Sequence, residues 1–168
     1  MKNTYSRAFT LIELLVVIAI IGILTGIIVT NLSQSRAKAR DAKRISDIGQ
    51  IQLALELFYD RCKEYPSANP GGVVNIGSSC NSGAVLLTNY ISQIPKDPDG
   101  TDYGYSALVV DGKLVDYVLH ANLEGNNEVV KDGLDNSSIS GSTWTSPVPG
   151  TFGCSNLATS KEYCIAPR

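Results

Sequence analysis

The chain is nearly without histidine, and its first third lacks both proline and most acids. His120 is the only histidine, Glu13 is the only acid before Asp41, and no proline precedes Pro66. His120 sits in an alternating stretch with no G-x-S-x-G motif beside it, so no nucleophile-and-base pair is on offer. There is also no Walker-type glycine loop and no dinucleotide fingerprint. A membrane-anchored exported hydrolase is therefore the weakest reading left open, and the lone strand histidine reads as structural. Basic groups are scarce after the first third: residues 66–168 hold five (Lys96, Lys113, Lys131, Lys161, Arg168) against ten acids, a balance of −5. Nucleic-acid-binding heads run the other way, which argues against nucleic acid as a partner.

What the chain does have is an apolar end. Residues 9–29 form a run of 21 residues, FTLIELLVVIAIIGILTGIIV. As a helix it spans about 30 Å, the thickness of a bilayer's hydrocarbon core. A cleaved secretory signal has a shorter apolar region and a small-residue cut behind it, so this span is expected to be retained. From residue 31 the pattern turns periodic, with Ile45, Ile48, Ile51, Leu55 and Phe58 at steps of three and four. That predicts an amphipathic helix over residues 31–65 continuing the span, the two halves together a rod of roughly 80 Å. Arg36, Arg40 and Arg44 recur every fourth residue with Lys43 adjacent, a basic stripe just outside the bilayer. A solvated face beside lipid headgroups is the preferred reading, ahead of a DNA-binding stripe; packing on acidic heads of neighbouring subunits is a third. With Lys2 and Arg7 before the span and the stripe after it, the positive-inside rule alone gives the reverse orientation.

The short basic leader, then Ala8-Phe9-Thr10-Leu11-Ile12-Glu13 and the apolar run, resembles the type IV prepilin signature, shared by type IV pilins and type II secretion pseudopilins. The resemblance implies an α+β fold, a long N-terminal helix packed on a small antiparallel β-sheet head. It implies that a prepilin peptidase cuts between Ala8 and Phe9 and methylates the Phe9 amino group. The family usually has Gly where this chain has Ala8, and many members have Pro where it has Thr30. The expected organisation is residues 1–8 as leader peptide, 9–30 as transmembrane and assembly helix, 31–65 as its amphipathic continuation and 66–168 as one extracytoplasmic globular head. Implied partners are other copies of the chain in a helical filament, the peptidase, a membrane assembly platform and membrane lipid. The protein would be single-pass in the membrane before assembly and an extracellular or periplasmic filament afterwards. Phe9 and Glu13 are the expected assembly residues, the Phe9 amine of one subunit neutralising Glu13 of the next.

Cys62, Cys80, Cys154 and Cys164 all lie beyond the span, and an even set in an exported domain reads as disulfides. Three pairings are possible; Cys62–Cys80 and Cys154–Cys164 are favoured, each close in sequence and closing a Gly/Ser/Asn-rich loop. A zinc site is the competing reading, but no pair has C-x-x-C spacing. In the head, residues 82–92 read as a short helix burying Leu86, Leu87, Tyr90 and Ile91. YGYSALVV, Asp111-Gly112 and KLVDYVLHANL read as a β-hairpin with a type I′ turn. The order helix, Pro95-Lys96-Asp97-Pro98, Tyr-x-Tyr, hairpin also resembles the major pseudopilins, with Asp99 at their usual aromatic position. From residue 124 a long loop is expected. By that resemblance Asp132 and Asp135 are the positions to examine for calcium. Neither they nor Asp97, Asp99 and Asp102 have a spacing that fixes six or seven ligands, so no metal and no cofactor is assigned. A type IV pilus-like filament subunit is the leading reading, favoured by the Cys154–Cys164 clamp. A type II secretion pseudopilin is the alternative, favoured by the Pro95–Pro98 stretch and its hairpin.

Overall fold

The computed structural model describes residues 9–69, 71–80, 83, 85–133, 154 and 161–167, with the side chains of 27–31, 131 and 132 left aside. It divides into two compact units, Met1–Ala37 and Lys38–Arg168, and each is described by itself. Helix α1 covers Leu11–Cys62. Nothing in its sequence interrupts it, since no proline occurs before Pro66. Its end is set at Lys63, which takes the left-handed conformation (φ 57°) and donates its N–H to the Tyr59 carbonyl at 2.7 Å. The side chains of residues 9–26 in the first unit are exposed. Among the described residues no helix is long and apolar enough to cross a membrane, the described side chains of α1's apolar run stopping at Gly26.

In the second unit the chain continues as β1 (Ser79–Cys80), β2 (Val85–Leu86), a 3-10 turn at Leu87–Asn89, β3 (Gly104–Val110), β4 (Lys113–Asn122), a 3-10 turn at Glu128–Asp132 and β5 (Glu162–Ile165). β3, β4 and β5 form one antiparallel sheet in that order, and β1 pairs with β2 separately. The fold is α+β, a helix packed on a small antiparallel sheet. Ile48, Ile51, Leu55 and Phe58 of α1 are fully buried in one cluster with Tyr105 and Ala107 of β3 and Tyr117 and Leu119 of β4. Each such aliphatic or aromatic side chain contributes about 1.5–3 kcal/mol by leaving water, and this stripe holds helix to sheet.

The β3–β4 connection is two residues, Asp111 at φ 50° and Gly112 at φ 77°, the paired positive values of a type I′ turn. A bulge follows: Leu108 pairs with Asp116 but Val109 with Leu114, leaving Val115 unopposed. Strict alternation would send Leu114 and Tyr117 to opposite faces. The bulge turns both to the core, where Leu114 is partly buried.

Two expectations are corrected. The helix expected over residues 82–92 is not seen among its described residues: Val85–Leu86 is extended, Leu86 is exposed, and Leu87–Asn89 is a 3-10 turn. Leu87 donates its N–H to the Ser78 carbonyl at 3.1 Å, so this stretch spends its hydrogen bonds on β1 and its neighbour rather than on a helix. The segment after the hairpin is not all loop either, because Asn127 caps a 3-10 turn by accepting the Val129 N–H at 3.2 Å. That turn brings Gly133 against β5, where a Cβ would lie 2.7 Å from the Cys164 carbonyl oxygen.

Disulfides join Cys62 to Cys80 and Cys154 to Cys164, with Cα separations of 5.6 and 5.7 Å. The first ties the end of α1 to β1. Replacing both Cys62 and Cys80 by alanine is expected to lower stability by about 3 kcal/mol, from the entropy returned to the unfolded chain. Thermal melts of the oxidised protein and the variant check this; equal melting temperatures would refute it.

Candidate functional site

Two places gather the polar chemistry. The first is the start of α1. Thr10 precedes the helix, and Glu13 is its third residue. Thr10 donates both its N–H and its hydroxyl to Glu13 Oε2, each at 2.8 Å, while Thr10 Oγ1 accepts the Glu13 N–H at 3.3 Å. This is a reciprocal capping box, satisfying donors that a helix start otherwise leaves open. Phe9 beside it is 89% exposed. Ala8 and the Ala8–Phe9 bond lie outside the described residues. The capping role of Glu13 escaped the sequence reading although its signal, Thr-x-x-Glu before an apolar run, was present.

The second place is where α1 meets the loops flanking the hairpin, within the second unit. Arg44 is buried (4% exposed) and is surrounded by carboxylates. Its Nε and Nη2 donate to the two oxygens of Asp97 at 2.7 and 2.8 Å. Its Nη1 donates to Asp41 at 2.8 Å and to Glu124 at 2.9 Å. Arg40 adds a second fork onto Glu124, both contacts 2.5 Å. Asp41 also accepts the N–H groups of Glu124 and Gly125 at 2.8 and 3.0 Å. One turn on, Asp47 accepts from Lys43 Nζ at 2.6 Å and from the Tyr103 hydroxyl at 2.8 Å. The basic stripe is thus only partly a solvated face: Arg36 and Lys43 are exposed, but Arg40, Lys43 and Arg44 meet acids of their own chain and Arg44 is buried among them. Sequence spacing shows which helix face is basic, but not that Asp97 and Glu124, 53 and 80 residues away from Arg44, return to it.

Glu124 carries the pH signature of this network. Arg40 first, and Arg44 next, hold its carboxyl down to about 2 from an ordinary 4.5. A group depressed in the folded state stabilises fully above its unfolded value and loses that contribution as pH falls through the folded one. The melting temperature is therefore expected to fall between pH 4.5 and about 2, and to fall less steeply in Glu124→Gln. Identical acid profiles for the two proteins would contradict this.

The remaining candidates resolve into local structure. Asp99 accepts the Thr101 N–H and hydroxyl at 2.9 and 2.6 Å, a turn contact, and Asp102 pairs with Lys96 at 3.1 Å. His120, on β4, pairs with Glu162 of the neighbouring β5. Asp132 ends the second 3-10 turn and Asp135 lies outside the described residues. Among the described residues no three His, Cys, Asp or Glu gather to hold a metal ion.

Residues 3–29 match the prokaryotic N-terminal methylation motif, and residues 31–128 match the family described as type II secretion system (T2SS), protein G. The chain belongs to the type II secretion system protein G family. It is 30% identical over 140 residues to type II secretion system core protein G of Vibrio cholerae, covering 82% of this chain and 96% of that one. With the core protein G of Escherichia coli K12 it shares 36% over 100 residues, 58% of this chain and 69% of the relative. With that of Pseudomonas aeruginosa it shares 29% over 125 residues, 73% and 88% of the two chains. No solved structure gives a significant match. The protein G family is one of pseudopilins, structural subunits and not enzymes. Of the two filament readings, membership favours the secretion pseudopilin over the type IV pilus subunit. The family match ends at residue 128, so β5 and the Cys154–Cys164 disulfide lie beyond it.

Proposed function

We propose that this protein is a pseudopilin that polymerises with copies of itself into a periplasmic filament serving a type II secretion machine. The observation that carries the reading is the order of the two family matches, a methylation motif at residues 3–29 running straight into protein G at 31–128. In this reading residues 1–8 are removed by a prepilin peptidase, Phe9 becomes a methylated amino terminus, and residues 9–30 anchor the subunit in the membrane until it enters the filament. The head beyond is extracytoplasmic, a compartment in which its two disulfides persist.

Processing is the direct test. The cut removes Lys2 and Arg7 and no acid, so the formal side-chain charge moves from −2 to (14 − 2) − 16 = −4. Intact mass of membrane-extracted protein is expected to show a chain beginning at methylated Phe9. Protein beginning at Met1, in cells with an active prepilin peptidase, would overturn the reading. Because Ala8 places a methyl group where the prepilin family usually has none, Ala8→Gly is expected to speed cleavage severalfold in a pulse-chase. Equal rates would show that the peptidase accepts either residue.

A further inference from the structure

Just past the end of α1 the surface opens into a pocket of about 170 Å³. Buried Phe58 and Tyr65 and half-buried Leu114 supply its apolar wall, and Glu64, Ser67 and Ser78 its polar one. It is several times the volume of one water molecule, large enough for the end of a side chain.

Its polar groups are arranged for a cation. Glu64 has no hydrogen-bond or ion-pair partner among the described residues, unlike Glu56, which accepts from the hydroxyls of Tyr65 and Tyr117 at 3.2 and 3.1 Å. Ser67 and Ser78 share one hydrogen bond at 3.3 Å, and Ser78 Oγ accepts the Ser67 N–H at 3.2 Å. Asn75 Nδ2 also donates to Ser67 Oγ at 3.4 Å, so the two hydroxyls together keep one lone pair to offer beside the Glu64 carboxylate. The C-terminal end of α1 adds its partial negative charge, which favours a cation there. Of the cations next in sequence to its lining and the helix end, Arg61 and Lys63 lie 4.0 and 3.5 Å from Asp60, and these two and Lys113 are exposed.

We propose that this pocket receives the ammonium group of Lys38 from a second copy of the chain. Lys38 is exposed and has no partner among the described residues, whereas Arg40, Lys43 and Arg44 are all committed to acids of their own head. Lys38 cannot fill the pocket of its own chain, because the 24 helical steps of α1 from Lys38 to Cys62 set the two ends about 36 Å apart. A second copy displaced along the helix direction can, and the −5 balance of residues 66–168 favours a cation arriving there. The inference rests on the filament reading above and adds the contact that sets the stagger between heads.

The test uses full-length protein in cells, with the periplasmic fibres trapped by a cross-linker and their yield read as the ladder of multimers. Glu64→Lys and Lys38→Glu are each expected to reduce fibre yield about tenfold while leaving membrane insertion and the melting temperature of the extracted subunit unchanged. The double variant, in which each copy presents the opposite pair, is expected to recover yield to within about twofold of wild type. Wild-type yield in either single variant, or a double variant no better than the singles, overturns the pocket assignment alone. Absence of fibres from the wild-type chain overturns the filament reading, and this proposal with it.

Discussion

Replacing Glu13 by valine is expected to abolish filament assembly or slow it strongly, while membrane insertion, head folding and both disulfides survive. Glu13 has one job in the structure and a second in the proposed filament, and this substitution removes both. One is the capping box with Thr10, worth about 1 kcal/mol at a helix start. The other is negative charge at the edge of an apolar run, which in a lone subunit lies near the interface and is tolerable, but is expensive to bury in a bundle without a cation beside it. The Phe9 amine of a neighbouring subunit is the proposed cation. Glu13→Gln separates the jobs, since glutamine can cap as glutamate does but carries no charge. If charge pairing drives assembly, Glu13→Gln fails nearly as badly as Glu13→Val, and Thr10→Ala costs far less than either. Glu13→Asp, with its shorter reach, falls between. Normal fibre yield from Glu13→Val would show that the carboxylate has no assembly role.

The second large effect is expected at Arg44. Arg44→Met leaves Asp97, Asp41 and Glu124 facing one another without the guanidinium that joins them, two of these acids being buried at 8% and 4% exposure. Removing one partner from a buried ionic cluster costs about 3–5 kcal/mol. That is a large share of the 5–15 kcal/mol typical of a whole domain. For a head of this size the melting temperature is expected to drop by roughly 10–20 °C. Arg44→Lys keeps the charge but cannot bind Asp97 through two parallel N–H groups, so an intermediate loss is expected. Melting curves of the full-length protein in detergent read both; an Arg44→Met protein as stable as wild type would mean the cluster is neutral to the fold.

Legibility from sequence followed physical range. The helix core stripe was visible because Ile48, Ile51, Leu55 and Phe58 obey a 3.6-residue period, and the hairpin because Asp111-Gly112 accepts two positive φ values that most residue pairs resist. Residues 82–92 read as a helix because Leu86, Leu87, Tyr90 and Ile91 have helical spacing. The strand pairing of Val85 with Cys80, whose Sγ is bonded to α1, overrides it. The basic stripe failed differently. Its spacing is local and legible, but its destination depends on Asp97 and Glu124, which only the folded topology brings to Arg44. The capping of Glu13 is local, and Thr10-x-x-Glu13 before an apolar run carries it in the sequence.

The measurement that bears most directly on the account is export in cells lacking this chain. Folded proteins that normally pass from the periplasm to the medium through a type II secretion machine are expected to accumulate in the periplasm. Wild-type chain restores their release, and Glu13→Val does not. Unchanged release in the deletion strain, or full restoration by Glu13→Val, would contradict the reading of this chain as a secretion pseudopilin assembled through the start of its helix.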